Sequence, residues 1–575
     1  MSKNVRNYQR CLCIRNVHSS SSNTVDPPKM QSTKYLTVPQ WKMLNQFREY
    51  LLKLSSDKSL QNSVRKDFAQ FLQKIQPSVY GSNLVRHVDT SAAATNETQE
   101  KKGENKGIIA FPNVLNGLIN KKPATEVERP KEILPKWKTT TKTVSKTAIM
   151  SRTRHIIYSI ANAETEKSKL KRIDDLSDHI KMYPEAKNHA VKEGAVRLLI
   201  RIQEETQNFD IRSSIREAFA LLGYCEPLPG RGIRILSIDG GGIRGLLVLE
   251  MLKKLEELTG KRIHELFDFM CGVSTGAIVA FSLGIHLRDL DTIAKHYKEL
   301  SLKVFTQSTL RGTSNLVWSH AYYDTALWET LLKEYLGEAP LISTARILEC
   351  PKLAAISAVV NHSKVSAYIF RNYSFPWRVQ SNYMGGFHHK VWEAVRASAA
   401  APTYFEEFRL GHLLHQDGGI LVNNPTAVAI HEAKQLWPNT PIQCVVSFGT
   451  GRTIPVHPEA LPEDDAKNSS WTNKFMKILD SATDTEGVHT MLNDLLSGDV
   501  YYRFNPYLTE MLSMVETDPH KIEQLEMDAL MYLRRNEDKF QSAAKALTDP
   551  KPVAQKAVDW LSRKKNLIGF STKYV

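Results

Sequence analysis

Two glycine-rich turns, each placed between a β-rich run and an apolar helical run, constrain the fold of this chain more than any other feature. The runs and turns are Ile233–Ile238, Gly240–Gly245 and Leu246–Leu258 in the first unit, and Phe267–Cys271, Gly272–Gly276 and Thr275–Leu283 in the second. Another β-rich run, Gln443–Phe448, follows a helical pattern at Thr426–Leu436. Because strands that alternate with helices pack as a sheet covered by helices, the sequence predicts an α/β fold.

Length and composition predict one large domain with appendages. A chain of 575 residues with 42% hydrophobic residues exceeds one ordinary domain and can bury a large core. The predicted segments are a targeting segment at 1–30, a polar and partly disordered linker at 31–150, a helical module at 151–228, the α/β domain at 232–455, and a helical extension packed on that domain at 456–575.

The positive charge is concentrated in the N-terminal arm. Residues 1–150 hold 25 Lys and Arg against 11 Asp and Glu, and the whole chain has a formal net charge of +15. A basic arm ahead of a nearly neutral body favours targeting or attraction to an anionic membrane surface, and it argues against nucleic-acid binding by the folded part. A solvated, disordered tail is the alternative.

Residues 1–30 have the composition of a mitochondrial presequence, with five Lys or Arg residues, a serine run and one acid. The six cysteines are scattered and form no CxxC pair, which indicates a reducing compartment. We therefore expect an intracellular, membrane-associated protein. The mitochondrion is favoured and the endoplasmic reticulum is the alternative, whereas the C-terminal Lys-Tyr-Val disfavours the peroxisome.

The second turn, Gly272-Val273-Ser274-Thr275-Gly276, matches the nucleophile elbow, a sharp strand-to-helix turn that raises a serine above the sheet. Gly272 and Gly276 would relieve crowding on either side of Ser274. The motif alone is weak evidence, and a small-residue turn packed beneath a helix is the alternative. Its position between a predicted strand and a predicted helix makes Ser274 the candidate nucleophile.

The first turn follows a strand and opens a helix, so several backbone amides can converge there on one anion. In Asp239-Gly-Gly-Gly-Ile-Arg-Gly245 this geometry predicts an oxyanion hole. Gly240, Gly242 and Gly245 also satisfy the dinucleotide fingerprint, which requires an acid at the end of the second strand. Asp268 stands at the beginning of that strand instead, which disfavours the nucleotide interpretation.

A third motif, Asp417-Gly418-Gly419, follows a predicted strand and precedes a capped helix. A serine hydroxyl needs a base, and either a carboxylate directly or a histidine backed by one can serve. Asp417 is the candidate carboxylate, whereas His415 and His431 are the candidates for a triad. The residues alone leave the dyad and the triad open.

Together the three motifs, in this order, resemble those of the patatin-like phospholipases. The stretches Ala397–Phe405, Gln416–Asn424 and Ser447–Arg452 are similar to the gamma branch of the calcium-independent phospholipases A2. The resemblance covers about Leu236 to the C-terminus and fades before about Thr153.

The resemblance implies a three-layer α/β/α domain with a Ser-Asp dyad, in which Ser274 is the nucleophile and Asp417 the base. It also implies an oxyanion hole at Gly240, Gly241 and Gly242, beside Arg244. The expected substrates are glycerophospholipids and lysophospholipids at a membrane surface. The sequence shows no EF-hand loop and no ligand-spaced His/Cys cluster, so no metal or other cofactor is expected, and protein partners are not indicated.

Two other functional classes stay open at this stage. One is a serine esterase or peptidase with a histidine-containing triad, and the other is a non-catalytic lipid- or nucleotide-binding protein. The aromatic stretch Tyr368–Trp377, with Arg371 and Arg378, suggests an interfacial lip at the membrane, with ordinary core packing as the alternative.

Overall fold

A computed structural model describes residues 144–306, 323–452, 485–510 and 512–568. The predicted targeting segment at 1–30 and nearly all of the predicted linker at 31–150 lie outside the described residues. The first described helix begins at Lys146, ahead of the predicted module boundary at residue 151.

Residues 144–222 form a module of five helices around a shared apolar core. They are α1 (Lys146–Ala161), α2 (Glu166–Met182), α3 (Ala186–Lys192), α4 (Ala195–Glu205) and α5 (Phe209–Leu222). The core of this module includes Ile342 and Ala345 from the following domain. At the same interface the buried Glu217 forms ion pairs with Lys181 and Arg346. The module therefore packs directly on the α/β domain.

The α/β domain is built on a mixed, nine-stranded sheet with the order β5-β4-β3-β2-β1-β8-β9, in which β7 also pairs with β3, and β6 with β7. The strands are β1 (Ile233–Ile238), β2 (Phe269–Val273), β3 (Lys352–Val359), β4 (Ser366–Arg371), β5 (Met384–Gly386), β6 (Phe408–Leu410), β7 (Leu413–Asp417), β8 (Ile442–Phe448) and β9 (Tyr501–Phe504). All six residues of β1 are buried, as expected for a strand covered on both faces.

Helices cover both faces of this sheet. They are α6 (Gly245–Thr259), α7 (Ile263–Leu266), α8 (Thr275–Gly284), α9 (Leu290–Phe305), α10 (Thr325–Leu336), α11 (Val391–Ser398), α12 (Thr426–Leu436), α13 (Thr485–Leu495), α14 (Pro519–Arg535), α15 (Glu537–Thr548) and α16 (Val553–Ile568). Alternate strand residues enter two separate cores: Leu236 packs with α6 and α15, whereas Ile235 packs with α12. The predicted three-layer α/β fold is confirmed.

The C-terminal region differs from the all-helical extension that the sequence predicted. Residues 501–504 form β9, which pairs in parallel with β8 and completes one edge of the sheet. The four-residue strand is short, and its Tyr-Tyr-Arg-Phe sequence carries an arginine where a core residue is expected. That arginine, Arg503, is buried against Asp239. The strand was missed because it is short, contains this arginine and lies between segments with helical periodicity.

The predicted interfacial lip is wrong for most of its residues. Tyr368, Arg371 and Tyr373 are at most 9% exposed. The Arg371 guanidinium donates to both carboxylate oxygens of Glu432, at 2.7 and 2.9 Å, and the Tyr373 hydroxyl donates to the same carboxylate at 2.7 Å. Arg371 and Tyr373 belong to a buried polar cluster, whereas Phe375 and Trp377 are half-buried and Arg378 is exposed.

No helix in the described ranges is both long and apolar enough to cross a bilayer. The longest uncharged run of the sequence, Phe269–Leu287, forms β2 and α8. This run was predicted from its central Gly-Val-Ser-Thr-Gly to be a strand that turns into a buried helix, and the structure agrees.

The buried cluster gives a test of the fold. Replacing Glu432 by Gln should lower the free energy of unfolding by about 3 kcal/mol, because Arg371 would keep its charge without a counter-ion. Denaturant unfolding measures the change, and Glu334→Gln on the exposed face of α10 is the control. Equal stability of the two variants would contradict the buried ion pair.

Candidate active site

The register of β3 brings Ser274 and Asp417 together. β2 pairs in parallel with β3 as far as Val273, which lies opposite Ile356. The next residue of β3, Ser357, pairs with Asp417 on the antiparallel strand β7. β2 and β7 therefore meet end to end along one edge of β3, and their last residues face each other across the junction.

Ser274 occupies a strained turn between β2 and α8. Its φ of 53° and ψ of −119° lie in a region that costs a non-glycine residue about 1–3 kcal/mol. The Ser274 backbone N–H donates to the Ser398 hydroxyl at 2.8 Å, and that hydroxyl donates to the Ile356 carbonyl at 2.6 Å. Ser398 was not singled out from the sequence, although it holds the serine turn onto β3.

The glycines of the serine turn allow the close approach that this geometry requires. A Cβ atom at Gly272 would lie 2.2 Å from the Gly276 backbone, and one at Gly276 would lie 2.2 Å from the Ile238 carbonyl oxygen. Gly418 and Gly245 are similarly crowded, by the Ile356 carbonyl and the Thr275 methyl respectively, each at 2.2 Å.

The Asp417 side chain is buried next to Ser274. Its Oδ1 accepts the Gly419 backbone N–H at 2.7 Å, and its own N–H donates to the Ala400 carbonyl at 2.9 Å. Burial raises the pKa of Asp417 to about 6, and hydrogen bonds from the Gly419 amide and the Ser274 hydroxyl offset part of that rise. The carboxylate is therefore in contact with the hydroxyl and has a higher proton affinity than an exposed aspartate.

The two histidines that sequence reasoning kept as triad members have other partners. His415 Nδ1 lies 2.8 Å from the Ser357 hydroxyl, and its ring packs against Tyr368. Burial and the nearby His389 lower the pKa of His415 to about 4. His431 Nε2 accepts the Asn382 backbone N–H at 3.3 Å. The structure thus brings Asp417, and neither histidine, to the Ser274 hydroxyl.

In the glycine loop, only some of the predicted amides are available to a ligand. The Gly240 N–H donates to the Asn423 carbonyl at 3.4 Å, and the Ile243 N–H donates to the Met514 carbonyl at 2.9 Å. The amides of Gly241 and Gly242 have no acceptor among the described residues. The loop therefore offers two donors, one fewer than the three that the resemblance implied.

Side chains pin the carbonyl groups that precede these two amides. Thr450 Oγ1 donates to the Gly240 carbonyl at 2.7 Å, and Arg244 donates to the Gly241 carbonyl through its backbone N–H at 3.3 Å and its Nε at 3.2 Å. In a planar trans peptide the N–H points away from the C=O of the same unit. Fixing the two carbonyls therefore fixes the directions of the Gly241 and Gly242 amides.

A buried ion pair anchors the start of the glycine loop. Arg503 of β9 donates to both oxygens of Asp239, at 3.0 and 2.7 Å, and each side chain is 2% exposed. Burial raises the pKa of Asp239 to about 6, and Arg503 opposes this shift. Sequence reasoning assigned no role to Arg503, which lies in no quoted motif, or to Thr450, although Thr450 falls within the stretch Ser447–Arg452 that carries part of the resemblance.

An apolar cleft opens at this site and is lined by both Ser274 and Asp417. Gly242 lies at its polar end, where its carbonyl accepts a hydrogen bond from the Tyr297 hydroxyl at 2.7 Å. The remaining wall is mainly aliphatic and aromatic and includes Ile278, Leu300, Val304, Phe305, Trp328, Tyr404, Phe405 and Val515. A hydroxyl, a buried base and two amide donors at the end of an apolar cleft suit acyl transfer from a long-chain ester.

Among the described residues, no group of three or more His, Cys, Asp or Glu side chains is arranged to hold a metal ion. Asp268, the residue considered for ribose binding, is bound by Arg234 at 2.7 Å. Its carboxylate is therefore committed to an ion pair within the sheet, away from the glycine loop.

The patatin-like phospholipase family model matches residues 236–430, which include Ser274, Asp417 and the glycine loop. The calcium-independent phospholipase A2-gamma of Mus musculus is 44% identical over 431 residues, covering 74% of this chain and 54% of that protein, and the Homo sapiens protein of the same name gives the same values. Phospholipase A I of Arabidopsis thaliana is 30% identical over 428 residues, covering 63% of this chain and 32% of that protein. The chain thus spans about half the length of the mouse and human relatives.

Thr450 provides a test of the amide geometry. Thr450→Val should lower kcat about tenfold with little change in KM, because the Gly240 carbonyl would lose its donor and the Gly241 amide its fixed direction. Steady-state hydrolysis of a soluble ester measures both constants, and Thr450→Ser should restore most of the rate. A rate for Thr450→Val equal to that of the wild type would exclude this role.

Proposed function

Residues 236–430 form a patatin-like phospholipase domain, and from this premise we propose that the chain hydrolyses fatty-acyl esters of glycerophospholipids and lysophospholipids. The observation that carries the proposal is the contact between the Ser274 hydroxyl and the buried Asp417 carboxylate at the end of an apolar cleft.

In the proposed mechanism, Asp417 accepts the hydroxyl proton as Ser274 Oγ attacks the ester carbonyl. The carbonyl oxygen becomes an oxyanion, which the Gly241 and Gly242 amides stabilise by hydrogen bonds; donors of this kind contribute about 3 kcal/mol each to transition-state stabilisation. The intermediate collapses when the ester C–O bond breaks. Asp417 returns the proton to the departing alkoxide, and a lysophospholipid leaves.

The second half of the cycle repeats the same chemistry with water. Asp417 takes a proton from a water molecule, whose oxygen attacks the acyl-enzyme carbonyl. Collapse of this second intermediate breaks the bond to Ser274 Oγ, the proton returns to the serine, and a fatty acid is released. Every proton transfer in this cycle uses one carboxylate, which is why a base with a raised pKa suits it.

The apolar wall supports a long-chain acyl substrate over a peptide or a short ester. Each buried methylene contributes about 0.8 kcal/mol, so an acyl chain gains binding energy along a wall formed by side chains such as Leu300, Val304 and Phe305. A peptide would bring unpaired amide groups into the same surroundings at a cost. The partners of His415 and His431 also weigh against a triad peptidase.

The proposal extends to the setting of the reaction. The substrates lie in a membrane, so we place the working enzyme at a phospholipid surface inside the cell. The mitochondrion is the proposed organelle, on the composition of residues 1–30. Calcium independence is proposed because the mechanism requires only side chains and backbone amides, and relatives carry it in their names.

Substitution of the two site residues tests the mechanism. Ser274→Ala and Asp417→Asn should each lower kcat by at least about 1000-fold, because the first removes the nucleophile and the second its base. Product analysis by mass spectrometry, with mixed phospholipids and EGTA present, measures lysophospholipid and fatty acid together.

Two histidine variants are the matched controls for this experiment. His415→Gln and His431→Gln should stay within a few-fold of wild type. Full activity of Asp417→Asn together with loss in either histidine variant would replace the dyad by a triad. Loss of wild-type activity on chelation would contradict calcium independence, and lipid binding without hydrolysis would favour the non-catalytic alternative.

The pH profile gives an independent test. Asp417 must be ionised to accept the serine proton, and its pKa is raised to about 6. We therefore expect kcat/KM for a soluble ester to fall tenfold per pH unit below about 6 and to be level above it. A profile that is flat between pH 5 and pH 8 would contradict Asp417 as the base.

A further inference from the structure

A second hollow, different in character from the catalytic cleft, lies beside the carboxyl end of β9. Its wall combines the cations Arg452, Arg503, Arg535 and Lys539 with the aromatic and thioether side chains of Tyr507, Met527 and Met531. We call this site the cationic hollow.

The carboxylates in the cationic hollow are already engaged. Glu486 accepts from Arg452 at 3.0 Å and from Arg503 at 3.3 Å. Asp528 accepts from the backbone N–H and the hydroxyl of Thr509, at 2.8 and 2.6 Å. Glu486 balances Arg452, and Asp239 pairs with Arg503, so Asp528 is the one remaining carboxylate near the two cations of α14 and α15 and forms no direct ion pair with either.

Arg535 and Lys539 are the cations in question. In the described part of the chain neither has a carboxylate partner; the Lys539 ammonium donates to the Arg503 carbonyl at 2.6 Å and lies 5.2 Å from the Phe504 ring centroid. Burial and the charges of Arg503 and Arg452 lower the pKa of Lys539. Four cations, counted against Glu486, Asp528 and the Asp239 that pairs with Arg503, leave an excess of one positive charge, which favours an anion.

Apolar side chains are exposed around these cations. Tyr507, Met527 and Met531 are 47%, 52% and 42% exposed. Met527, Met531 and Arg535 follow each other at intervals of four residues, so they form one stripe along α14. The Arg452 guanidinium lies 4.1 Å from the centroid of the Tyr507 ring. Exposed apolar groups interspersed with cations match the headgroup region of an anionic bilayer better than they match bulk water.

We propose that the cationic hollow binds the phosphate of an anionic phospholipid, with Tyr507, Met527 and Met531 entering the membrane interface around it. The proposal rests on the function proposed above, since an enzyme that acts on membrane lipids must hold its cleft at a lipid surface. Arg535 and Lys539 supply the charge, and charge complementarity identifies the partner as a phosphate-bearing lipid.

The position of the hollow links docking to the catalytic cleft. From Tyr507 the chain continues to Met514 and Val515, which line the cleft. Met514 also accepts the Ile243 amide of the glycine loop. A membrane bound at the hollow would therefore lie close to the segment that borders the cleft.

Vesicle binding by the full chain tests the proposal. Wild type and the double variant Arg535→Gln/Lys539→Gln are compared on phosphatidylcholine vesicles with and without phosphatidylglycerol. The control is Arg534→Gln/Lys545→Gln, which removes the same charge from exposed positions on the same two helices outside the hollow. We expect the hollow variant to bind anionic vesicles about 20-fold more weakly than the control variant.

Hydrogen exchange supplies a local measurement that the basic N-terminal arm cannot mask. Peptides covering 512–535 should be protected by anionic vesicles in the wild type and in the control variant, but not in the hollow variant. Equal affinity of the two variants, or vesicle binding without protection of these peptides, would overturn the proposal. If inorganic phosphate protects these peptides and anionic vesicles give no further protection, the site binds a free anion instead of a lipid.

Two further measurements separate this proposal from the proposed function. The hollow variant should hydrolyse a soluble short-chain ester at the wild-type rate, whereas Ser274→Ala should lose hydrolysis but bind vesicles normally. If the wild type has no hydrolase activity and the hollow variant still loses vesicle binding, the docking site is retained and the proposed enzymatic function is rejected. If the wild type hydrolyses phospholipids and the hollow variant binds vesicles as tightly as the wild type, the enzymatic function is retained and the docking site is rejected.

Discussion

The active site depends on a mismatch in strand length. β3 continues past the end of β2, and the free edge that remains is taken by β7 running in the opposite direction. This arrangement places the last residues of two strands against each other, so the proposed nucleophile and the proposed base come from distant parts of the chain to one point on the sheet. Sheet hydrogen bonds therefore fix the distance between Ser274 and Asp417, and neither residue depends on a mobile loop for its position.

Burial then gives this pair its chemistry. An exposed aspartate is too weak a base to assist a serine hydroxyl, but the surroundings of Asp417 raise its pKa to about 6. The Gly419 amide limits that rise, which keeps the group ionised at neutral pH. The same apolar surroundings strengthen hydrogen bonds from the Gly241 and Gly242 amides to a developing oxyanion. The same apolar environment thus supports both the proposed base and the proposed oxyanion donors.

Local features of this site could be predicted from the sequence, and long-range ones could not. The serine turn and the glycine loop are short segments whose conformation is set by neighbouring residues, so Ser274 and the glycines were found directly. Asp417 was found through its motif, but its contact with Ser274 follows from pairing on β3. Thr450 and Arg503 contact residues that are distant in the chain, so their contacts could not be predicted from the local sequence. For the Tyr368–Trp377 stretch the sequence left an interfacial lip and core packing open, because it does not distinguish a buried arginine from an exposed one; the burial of Arg371 favours core packing.

Arg503 of β9, the last strand, also positions Asp239, the residue that follows β1. A buried ion pair contributes little net stability, because desolvation of both charges offsets their attraction. Its effect is on geometry: the pair fixes Asp239, and with it the direction in which the chain leaves β1 and enters the glycine loop. The C-terminal region is therefore part of the catalytic domain in a physical sense, although its sequence reads as a separate helical extension.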